Sequence, residues 1–405
     1  MGICRLCRSN QLLPVIDLGY LPIAHQFSNL LSECQAKLVY PMKLEVCSQC
    51  GMAQLEQTIS PEILYSDYNY CFSSWKSQPH IADECELIQH YLPSGTILEV
   101  GCNDGLFLSE VAKYGDYNCI GVEPNKVSSK SANDKGIRVI NRFFEDAIDA
   151  ELKDISLQAL VARQVLEHII DVDLFLAAAN KMLDSEGLLC IEVPNTNIAL
   201  TTGDVSCLWE EHVNYFTPLS LQSALEGFGF EVLVNKTYQF SGEAILIIAK
   251  KIADVTIFSK PSGVDIGGFL GYADLVSDYK ACLLNVIEKY RSNNFKIALY
   301  GSGCRASTAV HGLDLIPVID FIIDDQAEKQ GLYMPKVPVS VSSLDSIKDS
   351  EQVLILLAVN NENEQKVKEK ICRLGLGQFE TLTLHSPANI DDDLQRISSN
   401  IDYAV

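Results

Sequence analysis

Apolar positions along this chain alternate between two spacings, and that alternation predicts most of the architecture. Ile81–Tyr91 repeats apolar residues at helical spacing and is closed by Pro93-Ser94-Gly95. The run Thr96-Ile97-Leu98-Glu99-Val100 follows without polar interruption apart from its acid, as a short buried strand does. Gly101 and Gly105 then permit a tight turn into Leu106-Phe107-Leu108, the start of the next helix. Strand-like runs recur at 118–122, 138–140, 159–162 and 188–193 with helical patterns between them, so a parallel, doubly wound α/β sheet is expected. Residues 251–266 lose periodicity around Pro261, Ser262 and Gly263 and read as a linker. Beyond it lie a long amphipathic helix over 270–290 and a second strand-turn-helix, Lys296–Tyr300 into Gly301-Ser302-Gly303-Cys304-Arg305. Further buried strands are expected at 318–323 and 353–360, and the acidic tail at 390–393 should fray.

The N-terminal segment is different. Two strand-like stretches, VIDLGYLPIAHQF and YPMKLEVC, lie between the pairs Cys4-x-x-Cys7 and Cys47-x-x-Cys50. Each pair sets two thiolates on one tight turn, and together they offer a tetrahedral four-sulfur zinc site. A segment this short builds little core alone, so a metal staple is physically needed; the alternative is four ordinary buried or redox cysteines. Four thiolates leave no open coordination position, which makes the zinc structural. Cys34 and Cys71 read as small core residues. The aromatic stretch Tyr65, Tyr68, Tyr70, Phe72, Trp75 suits packing, yet DYNYCFSSW is rich in hydroxyls that could line a polar ligand. Three domains are expected, at 1–75, 76–250 and 251–405.

Composition narrows the ligands. With 47% hydrophobic and 21% charged residues among 405, the chain is globular. A net charge of -22 and the lack of any basic stripe argue against nucleic acid and for a small-molecule substrate. No apolar run approaches a bilayer span and nothing at the N-terminus resembles a signal peptide, so no membrane partner and a cytoplasmic location are expected. In that reducing compartment the fourteen cysteines should not form disulfides.

The turn after the 96–100 strand reads Gly-x-Asn-Asp-Gly, and Asp104 would be a poor neighbour for a pyrophosphate. A cationic ligand fits better: S-adenosylmethionine carries a sulfonium and an amino group, which suit the strand-end acid Glu99 and the glycine turn. Glu123 ends the next strand roughly twenty residues on, where a carboxylate can accept both ribose hydroxyls. Cofactor binding is therefore expected at Glu99, Gly101, Asn103, Gly105 and Glu123, with Arg163 and Gln164 at the carboxyl end of the 159–162 strand, where ligands collect. His168 follows them; a lone histidine beside Ile169 and Ile170 is also an ordinary core residue. The densest chemistry is Trp209-Glu210-Glu211-His212-Val213-Asn214-Tyr215-Phe216. Glu211 or Glu210 could orient His212 as a base, ahead of a helix capped by Thr217 with Pro218 in its first turn. In the last third, Gly301-x-Gly303 with Asp324 invites a dinucleotide reading, but Ala306 stands at the third glycine position.

The ordered set CRLC, VIDLGYLPIAHQF, CSQC, DYNYCFSSW, EVGCNDG, VLEHI, EEHVNYF, YGSGCRAS and KQG resembles the sugar-nucleotide C-methyltransferases of deoxysugar pathways over nearly the whole chain. The resemblance implies a class I (Rossmann-like) methyltransferase core, a zinc-binding N-terminal domain and a second, C-terminal Rossmann-like domain. It implies methyl transfer from S-adenosylmethionine to a ring carbon beside a ketone on a nucleotide-linked 4-keto hexose. It places His212 as base, Glu211 as support for substrate or histidine, His168 in the same pocket, and Tyr70, or its neighbour Tyr68, as a pocket phenol. Other activities the sequence leaves open are O- or N-methylation of another small acceptor and a silent nucleotide-sugar-binding module. Trp209 stands where many relatives have Tyr, Glu210 where a His is frequent, and Arg163-Gln164 in place of two Asn-like positions. Those departures bear on the acceptor rather than the methyl donor.

Overall fold

The computed structural model describes residues 2–64, 78–259, 264–350, 352–375 and 378–385. The N-terminal segment supplies β1 (Leu12–Pro22), β2 (Val39–Cys47) and β3 (Ala53–Leu55). The middle of the chain supplies β4 (Ser94–Val100), β5 (Asp116–Val122), β6 (Arg138–Ile140), β7 (Leu157–Arg163), β8 (Leu183–Pro194), a two-residue β9 (Asn214–Tyr215), β10 (Phe230–Tyr238) and β11 (Ala244–Lys251). The last third supplies β12 (Lys296–Tyr300), β13 (Phe321–Ile323), β14 (Val341–Ser342), β15 (Gln352–Leu357) and β16 (Gln378–Thr383).

The central sheet runs β6-β5-β4-β7-β8-β11-β10, the strand order and mixed direction of a class I methyltransferase. β4 to β8 are parallel neighbours, as their alternation with helices requires. The expectation of a wholly parallel sheet is corrected at its far edge, where β11 lies antiparallel to both β8 and β10. The reason is the connection: five residues, 239–243, join β10 to β11, and a parallel crossover needs a dozen or more. A second sheet, β14-β13-β12-β15-β16, is parallel throughout and repeats the reversal of strand order beside its first strand. Both reversals lie at strand carboxyl ends, and ligands bind at such points.

The N-terminal sheet is β1-β2-β3-β9, so its last strand is lent by the middle of the chain: Ala53 pairs with Tyr215 and Gln54 with Asn214. The segment also shares core in two directions. Leu44 and Val46 pack in one cluster with Tyr272 and Val286 of the helix Gly267–Ser292 and with Leu299 of β12. Cys4, Cys47, Cys50 and Met52 belong to another with Leu160, Val193 and Phe216. Metal is thus one of three supports for this segment. No disulfide joins any of the described cysteines, and no described helix is long and apolar enough to cross a membrane.

Candidate active site

β4 delivers Glu99 and the turn after it to the sheet's carboxyl edge. Gly101, Asn103 and Gly105 all take positive φ (70°, 47° and 75°). A Cβ on Gly101 would stand 2.5 Å from Val165 Cγ2, and one on Gly105 2.6 Å from Ile137 Cδ1, so both glycines are required twice over. Glu123 fixes the turn from the next strand: Oε2 accepts Asn103 N–H at 2.9 Å and Oε1 accepts Asn125 N–H at 2.7 Å. Its carboxylate is thereby aimed at the space over the turn with lone pairs left for hydroxyl donors. Burial pushes the Glu99 carboxyl up to about 8, and its Oε2 has no hydrogen-bond partner, so a buried acceptor awaits a donor here. Asp104 also borders the cavity, and its carboxylate forms an ion pair with Lys135 at 2.9 Å.

Arg163, at the end of β7, lines the same cavity, but its guanidinium is already engaged. Nε lies 2.8 Å from Glu84 and Nη2 3.3 Å from Glu192, and Nη2 also donates to Gln78. His80 contacts Glu192 at 2.8 Å and Gln164 Nε2 donates to its other oxygen at 2.8 Å. Burial raises the Glu84 carboxyl well above its ordinary range. Burial also opposes the charge on Glu192, but Arg163 and the His80 contact outweigh it and keep that group ionised. Arg163 and Gln164 therefore build the wall beside Glu99 through a closed buried network, and Gln164 takes φ 54° to do so. His80, Glu84 and Glu192 were not legible as a unit, because two elements distant in sequence, the first turn of the helix Ile81–Tyr91 and β8, bring them together.

The other wall carries the two histidines. His168 ends the one-turn helix Leu166–His168, and its Nδ1–H donates to the carbonyl of Glu211 at 2.8 Å. That bond fixes the tautomer and leaves Nε2 as the basic nitrogen. The His212 ring lies 4.9 Å from the His168 ring and 4.6 Å from Trp209, centroid to centroid, and accepts or donates no hydrogen bond among the described residues. Burial and the neighbouring His168 hold His212 well below the usual histidine range, and burial lowers His168. Glu167 is the third member of the cluster, pushed up to about 8 by burial, with both oxygens unpartnered.

The expectation that the Glu211 carboxylate orients His212 is not met. Its Oε1 faces His25 Nδ1 at 3.2 Å, and Glu211 serves His168 through its backbone carbonyl. Glu210 takes a neighbouring place: Oε1 accepts the Ala24 N–H at 2.7 Å, and burial pushes its carboxyl up to about 7. His25, in a loop from the N-terminal segment, is thus a site residue that no local signal in VIDLGYLPIAHQF marked. Tyr70 and Tyr68 lie outside the described residues. Thr217 does cap the next helix, in a reciprocal pair with Ser220 and with Pro218 in the first turn.

Loop geometry here depends on the knuckles. Cys4 and Cys50 sulfurs are 3.5 Å apart, as are Cys7 and Cys47, and all four lie within 4.8 Å of one another. Zinc–sulfur bonds of about 2.3 Å place tetrahedral sulfurs roughly 3.8 Å apart, so the four thiolates fit the ion. Arg5, inside the first knuckle, donates to the carbonyls of Val213 at 2.7 Å and Leu55 at 2.8 Å. Asn214 Nδ2 donates to the carbonyls of Leu166 and Ile169 at 3.1 and 2.6 Å, pinning the turn that carries His168.

The C-terminal sheet closes the cavity. Asp324 Oδ2 accepts the Ser302 N–H at 2.9 Å and Oδ1 the Gln326 N–H at 2.9 Å, the arrangement Glu123 makes with its own turn. Gly301 has φ 109°, and a Cβ there would meet Ala358 O at 2.4 Å; over Gly303 the space is open. Arg305 joins this sheet to the central domain through Asp204 at 2.8 Å and Ser206 at 3.1 Å. The donor turn, both histidines, Trp209, Glu211 and the Gly301–Gly303 turn all border one cavity of about 2000 Å³.

Three domain models match: a zinc binding domain over residues 4–65, a methyltransferase domain over 80–234 and a C-methyltransferase C-terminal domain over 260–381. The chain is similar to the C-methyltransferase NovU of Streptomyces niveus, 24% identical across 83% of this chain and 84% of that one. Part of it is similar to the ubiquinone biosynthesis O-methyltransferase of Azorhizobium caulinodans, 27% identical across 34% of this chain and 58% of that protein. Among solved structures, a methyltransferase from Archaeoglobus fulgidus overlaps 43% of this chain and 95% of its own, at 20% identity and a TM-score of 0.34.

Proposed function

Because the chain belongs to the S-adenosylmethionine-dependent C-methyltransferases that join a zinc binding domain to a methyltransferase domain and a C-methyltransferase C-terminal domain, we propose that it methylates a carbon beside the ketone of a nucleotide-linked 4-keto deoxysugar, with His212 as base. The observation that carries this reading is the cavity. A single drug-sized ligand fills roughly 300–1000 Å³, so about 2000 Å³ has room for donor and acceptor together. Its lining includes Glu99 and Glu123, a second glycine turn with its own acid, and both histidines. The similarity to that O-methyltransferase covers 34% of this chain, against 83% for the C-methyltransferase NovU.

S-adenosylmethionine supplies an electrophilic methyl on a sulfonium. In this assignment the chain does the rest. Glu99 accepts the donor's amino group and Glu123 its ribose hydroxyls. His212 takes the proton from the carbon beside the ketone, and the freed pair forms the enolate that attacks the methyl as the carbon–sulfur bond breaks. His212 stays neutral at pH 7 and is a weak base, so the step depends on close placement and on a donor to the enolate oxygen, the part assigned to Tyr70. His168, whose Nε2 stands 3.9 Å from Glu167 Oε1, is the second proton acceptor. The two rings are too close for both to be charged at once, so each turnover holds a single proton in the pair.

The test is a set of nucleotide-linked keto sugars incubated with enzyme and S-adenosylhomocysteine in heavy water. Deuterium should enter at the carbon beside the ketone, and methyl-labelled donor should then label that carbon. Methylation of a hydroxyl or amine without such exchange overturns the reading. His212→Gln should lose exchange and turnover while its calorimetric affinity for S-adenosylmethionine stays within about twofold. A chain that binds no donor would instead be a silent binding module.

A further inference from the structure

The His212 ring has no hydrogen bond among the described residues, so its packing against His168 and Trp209 and the course of its backbone set where the base stands. That backbone is held from the zinc site. Val213 O receives two donors, Leu55 N–H at 3.0 Å and Arg5 Nη1 at 2.7 Å. Val213 N–H donates to Glu167 O at 2.8 Å, and this links the loop to the turn that ends in His168. Arg5 is itself locked on three sides. Its Nη2 donates to Leu55 O, its N–H to Gln54 Oε1 at 2.9 Å, and its carbonyl accepts Asp173 N–H at 3.2 Å just beyond the His168 turn. The side chain is 9% exposed, and it stands between two of the four sulfur ligands in the chain.

We infer that Arg5 is a positioning residue for the base: the zinc knuckle fixes Arg5, and Arg5 fixes the loop that presents His212 and, through Glu167, the turn that presents His168. A planar guanidinium is the group that can bridge two carbonyls in one fixed fork; an ammonium on a flexible stem cannot hold both in the same geometry. Zinc then has a role in catalysis without touching substrate, because losing the tetrahedron frees the arginine that holds the loop. A displacement of about 1 Å at a reacting group costs on the order of 100-fold in rate. The inference rests on the reading of His212 as base.

Arg5→Lys and Arg5→Met separate it from a merely structural role. Both should retain about one zinc per chain, as the four thiolates are untouched. Their KM values and donor affinity should stay within about twofold while kcat falls roughly 10- to 100-fold. The acid limb of the kcat–pH profile should move upward as His212 becomes less enclosed. Hydrogen exchange of the peptide spanning 209–216 should speed up in both variants, and equally in wild-type protein stripped of zinc by a chelator. Unchanged kcat in a zinc-loaded Arg5 variant, or exchange in that peptide indifferent to both arginine and metal, overturns the inference. Retained turnover in His212→Gln would instead remove the base reading and leave the exchange result standing by itself.

Discussion

His212 and His168 are held below the ordinary histidine range, His212 by burial and then by its partner ring, His168 by burial. Both are therefore more than half neutral at pH 6.5, where a free histidine is half protonated. The acid-side midpoint of kcat/KM for the wild-type enzyme should accordingly lie below 6.5; a midpoint at or above that value would mean the titrating base is another group. Glu210 has the opposite sign. Its folded carboxyl is held up to about 7 by burial while the unfolded one titrates at the ordinary position near 4.5, so the folded state keeps the proton longer and stability falls as pH rises between those values. Glu210→Gln keeps an acceptor for the Ala24 N–H and cannot ionise. Its urea midpoint should match wild type near pH 4.5 and exceed it increasingly up to about pH 7, by an amount on the order of 3 kcal/mol at most. An equal offset at both pH values would show that the carboxyl does not titrate in this window.

At the scale of elements, the β4 turn concentrates two constraints on Gly101, a left-handed φ and a Cβ position filled by Val165. Gly101→Ala should weaken S-adenosylmethionine binding at least 10-fold by calorimetry, since Asn103 and Glu123 are registered to the same turn. This turn was legible in the sequence because everything that makes it is local: an apolar run, two glycines at fixed spacing and an acid one strand later. The helices Ile81–Tyr91 and Gly267–Ser292 were legible for the same reason. The β10–β11 hairpin is also local, and its signal was a five-residue link between two apolar runs, outweighed by the periodic strand-helix alternation before it. What stayed hidden depends on contacts distant in sequence. The two thiolate pairs could be read from their spacing, but not Arg5 reaching Val213, nor His25 claiming the Glu211 carboxylate expected at His212. No periodicity encodes a side chain that crosses two hundred residues to meet its partner.

At the scale of the whole molecule, the three parts are held together by shared core and by polar joints such as Arg8 with Asp171 and Asp173, Ser28 with Tyr333, and Arg305 with Asp204. Arg305, in the helix Cys304–Gly312, is a polar joint at the cavity, since it bonds Asp204 and Ser206 of the central part. Arg305→Ala leaves the Asp204 carboxylate, 5% exposed, without its cation and should cost roughly 2–4 kcal/mol in urea unfolding. A cost below about 0.5 kcal/mol would show that the shared core alone holds the joint. Removing zinc should act on a different scale. The knuckles share a core with the central sheet, so a chelator should lower the melting temperature of the whole chain rather than melt the first sixty residues separately.

β9 gives this arrangement a direction in time. During synthesis Ala53 leaves the ribosome about 160 residues before Tyr215, its strand partner. At roughly 5–20 residues per second the N-terminal sheet waits some 8–30 s for its last strand. All four cysteines are already present in that interval, so the ion can lock the paired strands β1, β2 and β3 before the loop that completes their sheet, and carries His212, has been made.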